Sequence, residues 1–510
     1  MRTTIFGFTF AATLVAAGCS DTGGSISGSG GRVATGGISS TGGTVATGGS
    51  GSTGGAVATG GVVATGGSPR TGGTATGGIP TTGGIASTGG LAQTGGAATG
   101  GTVKTDGGMP PGDAGIGGTP ATGGARTGGT VGTGGSAVPA ILGATPPMGW
   151  NSWNKYACDG LNETVVMKMA DAFITSGMKD AGYEYVNLDD CWMDGRDSGG
   201  KLKWNTGKFP SGIPALAEYI HGKGLKIGIY EPPANKTCAG LYGGYAGGVG
   251  SLGHETTDAQ SFASWGIDYL KYDKCTGPLS AFATMYNAIR ATGRSIFISI
   301  NPGDQGPYCT PTNCSIDLPK VANMWRIEFD ISANWAAVTR LIDANKKEYT
   351  GAGPGSWNDP DMLEVGNGLN DTEGRAHFSM WAIMASPLIT GNDLSSMSAA
   401  TKAILTNKEA IAINQDSLGK QGRVVATPGS NLEVWSKDLA GTNSRAVALF
   451  NRSTGSASIT VKWSDIGIPA GSATVRDVWA AKDLGPSTDS YTGTNIASHS
   501  VLLLIITSAP

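Results

Sequence analysis

A lysine and an aspartate stand two residues apart in the segment GIDYLKYDKC, residues 266–275. The segment predicts a short strand, because β-branched, aromatic and apolar side chains dominate it. Lys271 and Asp273 share one strand face, since residues i and i+2 of a strand point the same way. Taken alone, a strand-end aspartate is more often a turn or helix cap, and a lone lysine is more often a solvated edge charge. Residues elsewhere in the chain must therefore indicate whether Lys271 and Asp273 have a catalytic role.

Further polar residues stand at the ends of other apolar runs, and acids dominate among them: Trp153, Asp189 with Asp190, Tyr230 with Glu231, Asn301, Arg326 with Asp330, and Asp359 with Asp361. The four histidines form no metal-ligand pattern, and there is no G-x-S-x-G elbow. Acid–base chemistry by carboxylates remains, and glycosidases work in this way. An indole such as Trp153 could pack against the apolar face of a sugar, and an aspartate pair could accept hydrogen bonds from neighbouring hydroxyls.

Eight short apolar runs alternate with amphipathic stretches from residue 140 to residue 423. The strand candidates are 148–153, 183–190, 225–230, 267–273, 295–301, 323–328, 356–361 and 386–391. The helix candidates are 163–177, 212–224, 257–266, 278–293, 334–349 and 374–385. This alternation predicts an α/β fold, a (β/α)₈ TIM barrel whose active site lies at the carboxyl ends of the strands. A doubly wound sheet is the alternative, but no Gly-rich dinucleotide fingerprint follows any strand.

The tail, residues 424–510, predicts a C-terminal antiparallel β-sandwich. Its strand candidates are short, alternating or apolar, with turn residues between them: 431–439, 444–452, 457–463, 473–480 and 500–508. Packing against the barrel is the simpler role for this domain, and a sugar-binding module is the alternative.

The first 139 residues differ in composition from the rest. Residues 1–18 read as a signal peptide, because one basic residue precedes an apolar run too short to span a membrane. The run ends in Ala-Ala-Gly before Cys19, which resembles a bacterial lipobox and predicts lipidation of Cys19. Simple secretion is the alternative. Residues 19–139 form a low-complexity Thr-Gly-Gly-rich linker that we expect to stay disordered.

These features predict an exported protein, either a cell-envelope lipoprotein or a secreted one, that meets a membrane only through its lipid. The net charge is −3 and no basic stripe appears, so nucleic-acid binding is not expected.

From about Thr145 to the C-terminus the sequence strongly resembles glycoside hydrolase family 27. The matching segments occur in the family's order: TPPMGWNSWNKYAC, NLDDCWMDGRDSGGKL, KGLKIGIY, NKTCAG, DYLKYDKC, GPGSWNDPDML, WAIMASPLITGNDL and AINQDSLGKQG. This is the family of α-galactosidases (melibiases) and α-N-acetylgalactosaminidases. The resemblance implies hydrolysis without a metal or an organic cofactor.

The resemblance implies a retaining double displacement with Asp273 as nucleophile and Asp330 as acid/base. Glu328 is the rival acid, but the family's spacing favours Asp330. In a retaining enzyme the two carboxyl groups lie about 5–6 Å apart. We expect the cations of Lys271 and Arg326 to lower the pKa of Asp273, and less cationic surroundings to keep Asp330 protonated.

The resemblance also implies a galactose pocket. Asp189 and Asp190 would bind the 4- and 6-hydroxyls, Lys271 would bind sugar hydroxyls and support the nucleophile, and Asn301 would reach the 2-hydroxyl. The remaining members of the substrate-binding set are Trp153, Tyr230, Arg326, Asp361 and Met362. Glu231 departs from the family's usual small residue and carries no assigned role.

Six cysteines remain after Cys19, and an even number in an exported protein predicts disulfides. The resemblance implies two pairs, Cys158 with Cys191 and Cys238 with Cys275. Cys309 and Cys314 are left and could close a small loop.

The sequence therefore predicts a retaining, exo-acting α-galactosidase that acts on α-galactoside oligosaccharides or polysaccharides. An α-N-acetylgalactosaminidase and a β-L-arabinopyranosidase of the same family are the alternatives. A non-catalytic surface sugar-binding lipoprotein is a more remote one, and the presence of both Asp273 and Asp330 argues against it.

Overall fold

A computed structural model describes residues 141–303 and 308–509. The predicted signal peptide (1–18), the lipidation site Cys19 and the linker (19–139) lie outside the described residues. Within the described part, none of the helices has the length and apolar character that crossing a membrane would require.

Ten strands belong to the first part of the described chain. They are β1 (Met148–Asn151), β2 (Tyr185–Asn187), β3 (Met193–Arg196), β4 (Leu202–Trp204), β5 (Lys226–Glu231), β6 (Tyr269–Asp273), β7 (Phe297–Asn301), β8 (Met324–Arg326), β9 (Trp357–Asp359) and β10 (Leu388–Thr390). Eight of them pair in parallel in the order β10-β1-β2-β5-β6-β7-β8-β9, while β3 and β4 form a separate antiparallel hairpin. Leu363, just after β9, bridges Thr390 of β10 and joins the two edges of the sheet. The TIM barrel prediction is confirmed.

The helices of this part are α1 (Trp153–Gly160), α2 (Glu163–Thr175), α3 (Ile213–Gly222), α4 (Cys238–Tyr242), α5 (Glu255–Ser264), α6 (Ser280–Ala291), α7 (Trp335–Asn345), α8 (Asp371–Ile383), α9 (Ala399–Leu405) and α10 (Lys408–Asn414). Short 3₁₀ turns occupy Lys179–Ala181, Leu318–Lys320 and Leu394–Ser396. Side-chain caps begin several helices: Asn162 accepts from the amide of Val165, and Asn334 accepts from that of Ala337.

The eight strand and six helix segments expected from the sequence all occur. The short helices α1, α4, α9 and α10 and the hairpin of β3 and β4 were not predicted from the sequence. These elements are too short, or too polar, for a periodic pattern to distinguish them from loops.

The C-terminal part consists of antiparallel strands. They are β11 (Arg423–Gly429), β12 (Leu432–Asp438), β13 (Ser444–Asn451), β14 (Ala457–Lys462), β15 (Ser472–Asp477), β16 (Lys482–Thr488), β17 (Ser490–Ile496) and β18 (Ser500–Ser508). A six-stranded sheet has the order β11-β12-β13-β18-β15-β16, and β14 pairs with β17 in a second sheet. The predicted sandwich is confirmed. The sequence analysis missed β11, β16 and β17, whose side chains are mostly exposed or polar.

The central strands of the six-stranded sheet, β12, β13 and β18, are buried on both faces, which explains their apolar sequences. On one face, Val434, Val447 and Leu504 pack with the second sheet in the core of the sandwich. On the other face, Trp435 and Leu503 join the core of the barrel. Side chains alternate along a strand, so consecutive apolar residues serve two different cores.

Helix α8 lies between the barrel and the sandwich. It contacts β12, β13 and β18, and buries residues around most of its circumference, among them His377, Phe378, Met380 and Trp381. This burial around the helix shows that other elements cover α8 on nearly all sides. The sandwich therefore completes the core on this side of the barrel.

One lysine of the described residues, Lys437, is buried at this junction. Lys437 of β12 shares the strand face of Trp435, so it points toward the barrel. Its Nζ donates long hydrogen bonds to the carbonyl oxygens of Ala382 and Asn414, each at 3.4 Å. Burial lowers the pKa of Lys437 to about 7, and the charge of Asp416 offsets this only in part.

We predict that Lys437 makes stability depend on pH between about 7 and 10. In that range the unfolded chain binds a proton that the folded chain does not, so the free energy of unfolding rises with pH. The slope from one group is at most ~1.4 kcal/mol per pH unit. Urea unfolding of the wild type and of Lys437→Met at pH 7 and 9.5 measures this contribution. We expect the stability of Lys437→Met relative to the wild type to decrease as pH rises. A pH-independent difference would show that folded Lys437 keeps its proton throughout.

Candidate active site

The register of the barrel strands brings the predicted site residues to one end of the sheet. Tyr230 pairs with Lys271 across β5 and β6, and Asp273 pairs with Asn301 across β6 and β7. A pocket at this end, called here the inner pocket, is lined by Trp153, Asn154, Asp189, Asp190, Tyr230, Cys238, Lys271, Asp273, Arg326, Asp330, Asp361 and Met362. All of the predicted catalytic and binding residues except Asn301 are in this lining. Asn301 lines the two adjoining cavities.

Lys271 supplies positive charge to the inner pocket. Its Nζ donates to Asp189 Oδ2 at 2.7 Å and lies 4.0 Å from Asp273 Oδ2. It also lies 5.4 Å from the ring centroid of Tyr230. Burial alone would lower the pKa of Lys271, but the carboxylates of Asp189 and Asp273 outweigh it and raise that pKa. Lys271 therefore stays charged, and it ties the predicted nucleophile to the predicted sugar-binding acids.

Arg326 supplies the second buried cation. Its Nη2 lies 2.9 Å from Asp330 Oδ1 and 2.9 Å from Asp361 Oδ2. Asp361 adopts a positive φ of 81°, a strained conformation for a residue with a side chain. Its other contacts hold it there, since Oδ2 accepts from the amide of Ile331 and Oδ1 from that of Met362.

The structure overturns the expectation for the pKa of Asp273. Burial raises the pKa to about 7, and the negative charges of Asp330 and Asp189 add to the rise. Lys271 and Arg326 do lower it, as the sequence analysis expected, but their effect is smaller than that of burial. Asp273 Oδ1 is buried and has no hydrogen-bond partner among the described residues.

The expectation for Asp330 is also wrong for the unliganded site. The positive charge of Arg326 is the main influence on this carboxyl, and it lowers the pKa of Asp330. The Asp330 side chain is 76% exposed, so solvent screens part of the attraction. Asp330, the predicted acid, thus lies beside a cation rather than away from one. The same guanidinium group of Arg326 also bonds to Asp361.

The predicted sugar-binding acids lie in the turn after β2. Asp190 accepts hydrogen bonds from the amides of Cys191 (2.6 Å) and Ala239 (2.8 Å). Burial raises the pKa of Asp190 to about 6, although the hydrogen bond from Ala239 lowers it. Asp189 Oδ2 accepts from Asn151 Nδ2 at 2.8 Å as well as from Lys271. Both carboxylates are therefore held rigidly before any ligand binds.

Two disulfides support this part of the site. Cys158 and Cys191 join α1 to the turn of Asp189 and Asp190, and Cys238 and Cys275 join α4 to the segment after Asp273. Both pairs are those implied by the resemblance. The remaining pair, Cys309 with Cys314, closes a small loop after β7.

The other predicted binding residues are built into the pocket wall. Tyr230 and Met362 are buried, and Trp153 is half-buried at the start of α1 rather than at a strand end. The Tyr230 hydroxyl lies 3.3 Å from Cys275 Sγ. Asn301 is buried, and its Oδ1 has no partner among the described residues.

Glu231 points away from the pocket. It is fully buried behind β5, with Oε1 3.9 Å from Arg196 Nη2. Arg196 bonds mainly to Asp258, at 2.6 and 2.7 Å. Burial, reinforced by the charge of Asp258, raises the pKa of Glu231 well above its ordinary value. Glu231 therefore lies in the barrel wall, where burial disfavours its charged form, and it does not line the inner pocket.

Among the described residues, one group of potential metal ligands approaches the required geometry, namely Cys238, Asp273 and Cys275. Both sulfurs belong to a disulfide, so neither can act as a thiolate ligand. This group does not fit a metal centre.

Asp359, which the sequence already placed at a strand end, accepts from the amide of Asp361 through Oδ1 at 2.8 Å. Several other residues near the carboxylates were not predicted, among them Asn151, which orients Asp189. Tyr242, Tyr308 and Phe329 line a neighbouring cleft. In the sequence these three residues are visible as aromatic residues close to matched motifs. Only the conformation of the folded chain shows that they meet at one cleft.

Comparisons with known proteins agree with this arrangement. The chain matches the family model Melibiase_2, described as Alpha galactosidase A, over residues 145–416. It also matches Melibiase_C, the Alpha galactosidase C-terminal beta sandwich domain, over residues 429–506. It is 44% identical to the Alpha-galactosidase of Oryza sativa subsp. japonica over 374 residues, which cover 72% of this chain and 85% of that protein.

Solved structures are similar over the same region. The crystal structure of alpha-galactosidase I from Mortierella vinacea matches with a TM-score of 0.66 and 36% identity, covering 73% of this chain and 99% of that one. The structure of alfa-galactosidase from Saccharomyces cerevisiae with raffinose matches with a TM-score of 0.65 and 28% identity, covering 73% and 100%.

We predict that Asp273 titrates near pH 7 in the free protein and that its neighbours move this value in opposite directions. Lys271→Met removes a stabilising cation and should raise the pKa of Asp273. Asp330→Asn removes a repelling anion and should lower it. Carbon-13 NMR of carboxyl-labelled aspartate measures both shifts, with the Asp273 signal assigned by its loss in Asp273→Asn.

Lys226→Met is the matched control, because Lys226 pairs with Glu184 at the other end of the barrel, 2.7 Å away. It should leave the titration of Asp273 unchanged. Shifts of the same sign in the Lys271 and Asp330 variants would contradict the proposed balance of charges.

Proposed function

Because the chain belongs to the alpha galactosidase family of glycoside hydrolases and is an α-galactosidase, we propose that it is a retaining, exo-acting enzyme with Asp273 as nucleophile and Asp330 as acid/base. Its substrates are the terminal α-linked galactosyl residues of oligosaccharides or polysaccharides. One observation supports the assignment of roles: Asp273 is held inside the inner pocket, its Oδ1 without a hydrogen-bond partner in the part of the chain that the structure describes, while Asp330 lies exposed at the rim of the pocket.

In the first step the Asp273 carboxylate attacks the anomeric carbon, and the bond from that carbon to the leaving oxygen breaks. The carboxyl group of Asp330 gives its proton to that oxygen, so the leaving sugar departs as a neutral alcohol. In the second step water attacks the anomeric carbon of the galactosyl ester on Asp273, and Asp330 takes the proton of the water. Two inversions release galactose with its α configuration retained.

The pKa shifts of Asp273 and Asp330 are opposite to those that this cycle requires. Asp273 has a pKa of about 7 and Asp330 a lowered one, so a pair that holds one proton holds it mainly on Asp273. Catalysis needs that proton on Asp330. A bound galactoside can favour the transfer, because it covers the exposed Asp330 and because its hydroxyls can donate to the Asp273 carboxylate.

The inner pocket also offers groups for recognition of galactose. The rigid carboxylates of Asp189 and Asp190 can accept hydrogen bonds from the 4- and 6-hydroxyls. Asn301 Oδ1, which is buried and has no partner within residues 141–303 and 308–509, can accept from the 2-hydroxyl. These contacts support galactose over a sugar that lacks the 6-hydroxymethyl group or carries a 2-acetamido group.

We predict different defects for the two carboxylates. Asp273→Ala should lose about 10³-fold or more in kcat on every α-galactoside. Asp330→Ala should keep much more activity on an aryl galactoside with a good leaving group than on a disaccharide, because only the poor leaving group needs a proton. Added azide should yield α-galactosyl azide from Asp330→Ala and β-galactosyl azide from Asp273→Ala, as NMR of the products would show.

The control is Glu328→Ala, which removes the rival acid near Asp330. It should keep activity on both substrates and give no azide product. If Glu328→Ala instead showed the leaving-group dependence, Glu328 would be the acid.

We further propose that the chain is exported and anchored through a lipid on Cys19. The support is the apolar run that ends in Ala-Ala-Gly before this cysteine, followed by a Gly-rich segment long enough to separate the enzyme from a membrane. Expression of the full chain in a bacterium fed an alkyne fatty acid should label the wild type and not Cys19→Ser. Equal labelling of both proteins, or of neither, would reject the anchor.

A further inference from the structure

Asn154 lines the inner pocket and takes no part in the proposed catalytic cycle. It is half-buried and is the second residue of α1, directly after Trp153. It carries the only amide side chain in the lining of this pocket, where carboxylates dominate. Carboxylates accept hydrogen bonds but do not donate them, so a sugar hydroxyl that donates to an aspartate still needs a donor for its own oxygen. Asn154 offers such a donor.

Glu364 fixes the orientation of this amide. Asn154 Nδ2 donates to Glu364 Oε1, and Asn367 Nδ2 donates to Glu364 Oε2 at 2.6 Å. Glu364 is buried, and burial raises its pKa although both hydrogen bonds lower it. Because a buried carboxyl group without partners costs free energy, its oxygens hold the two amides firmly. One hydrogen of Asn154 Nδ2 is used in this way, and the second remains for another acceptor.

Backbone contacts hold Glu364 and Asn154 in place. Glu364 follows Leu363, whose amide donates to the carbonyl of Ile389 at 2.7 Å where the two edges of the barrel sheet join. Gly391, just after β10, packs so closely that a Cβ atom on it would lie 3.1 Å from Asn154 Cβ. A larger residue at position 391 would therefore press on the Asn154 side chain. The amide is positioned before a substrate binds.

The order of the strands places Asn154 opposite Asn301. In the closed sheet β10-β1-β2-β5-β6-β7-β8-β9, strands β1 and β7 lie four positions apart, which is directly across an eight-stranded barrel. Asn154 comes shortly after β1, and Asn301 ends β7. In a pyranose ring C5, which bears the 6-hydroxymethyl group, lies across from C2. With the 2-hydroxyl at Asn301, the 6-hydroxyl faces Asn154.

We propose that Asn154 is a specificity residue for the 6-hydroxyl of galactose and that Glu364 positions it. This inference rests on the proposed function. The second hydrogen of Asn154 Nδ2 is donated to the oxygen of the 6-hydroxyl, while the proton of that hydroxyl is donated to the carboxylate pair of Asp189 and Asp190. A sugar without the 6-hydroxyl leaves the amide hydrogen unsatisfied. Asn154 therefore favours galactosides over 6-deoxygalactosides and arabinopyranosides.

The test compares kcat/KM for an aryl α-D-galactoside with kcat/KM for its 6-deoxy analogue. In Asn154→Ala the ratio of galactoside to 6-deoxygalactoside values should fall about fivefold to tenfold, which is the effect of one neutral hydrogen bond. The ratio of galactoside to 2-deoxygalactoside values should not change, because that edge of the sugar faces Asn301. Asn154→Leu keeps the size of the side chain without its amide and should give the same result.

Variants of Glu364 test its positioning role. Glu364→Ala should lower the ratio of galactoside to 6-deoxygalactoside values, and the double variant with Asn154→Ala should lower it no further than Asn154→Ala alone. Glu364→Gln keeps an oxygen that accepts from Asn154 Nδ2 and should retain most of the ratio. The matched control is Asn367→Ala, since Asn367 bonds to the same carboxyl group but does not line the inner pocket. It should leave the ratio unchanged.

An unchanged ratio of galactoside to 6-deoxygalactoside values in both Asn154→Ala and Asn154→Leu, whether or not activity falls, would overturn the proposal and leave Asn154 only a support for the pocket wall. A change in the 2-deoxygalactoside ratio alone would overturn the assignment to the 6-hydroxyl. A wild type that cleaves neither the galactoside nor its deoxy analogues would instead refute the proposed function.

Discussion

Compensation of buried charge is the constraint on which the site depends. Lys271 and Arg326 bring two cations into the mouth of the barrel, where each unpaired ion would cost several kcal/mol. Each cation lies between two carboxylates, Lys271 between Asp189 and Asp273 and Arg326 between Asp330 and Asp361. Removing one member would leave a buried charge without its partner. The proposed sugar-binding acids and the proposed catalytic acids are therefore parts of one electrostatic network.

The same network sets the protonation of the free site. Asp273 is buried, and desolvation outweighs its two cationic neighbours, so its pKa rises. Asp330 is exposed and bonds directly to Arg326, so its pKa falls. These two shifts favour the proton on Asp273, the proposed nucleophile, over Asp330, the proposed acid/base. The proposed mechanism therefore requires this proton to move to Asp330 before the leaving group departs.

The rigidity of the network comes from elements outside the strands. The disulfides hold the turn of Asp189 and Asp190 and the segment after Asp273, and strained Asp361 is held by Arg326 and by backbone amides. Behind the barrel, α8 and the six-stranded sheet share a core that includes Trp381 and Trp435. The preorganised carboxylates therefore rest on a scaffold to which the sandwich contributes directly.

The sequence by itself determined the element order, the two-domain class and the identity of the strand-end residues. These follow from local periodicity and from motifs that persist in order along the chain. It also indicated the disulfide pairs, through resemblance. The tertiary structure decided what depends on distance and burial. It set the directions in which the pKa values of Asp273 and Asp330 shift, the outward position of Glu231, and the meeting of Tyr242, Tyr308 and Phe329 at one cleft. A spacing of residues can place a cation near an acid, but only the packed structure determines whether burial or charge has the larger effect on the pKa.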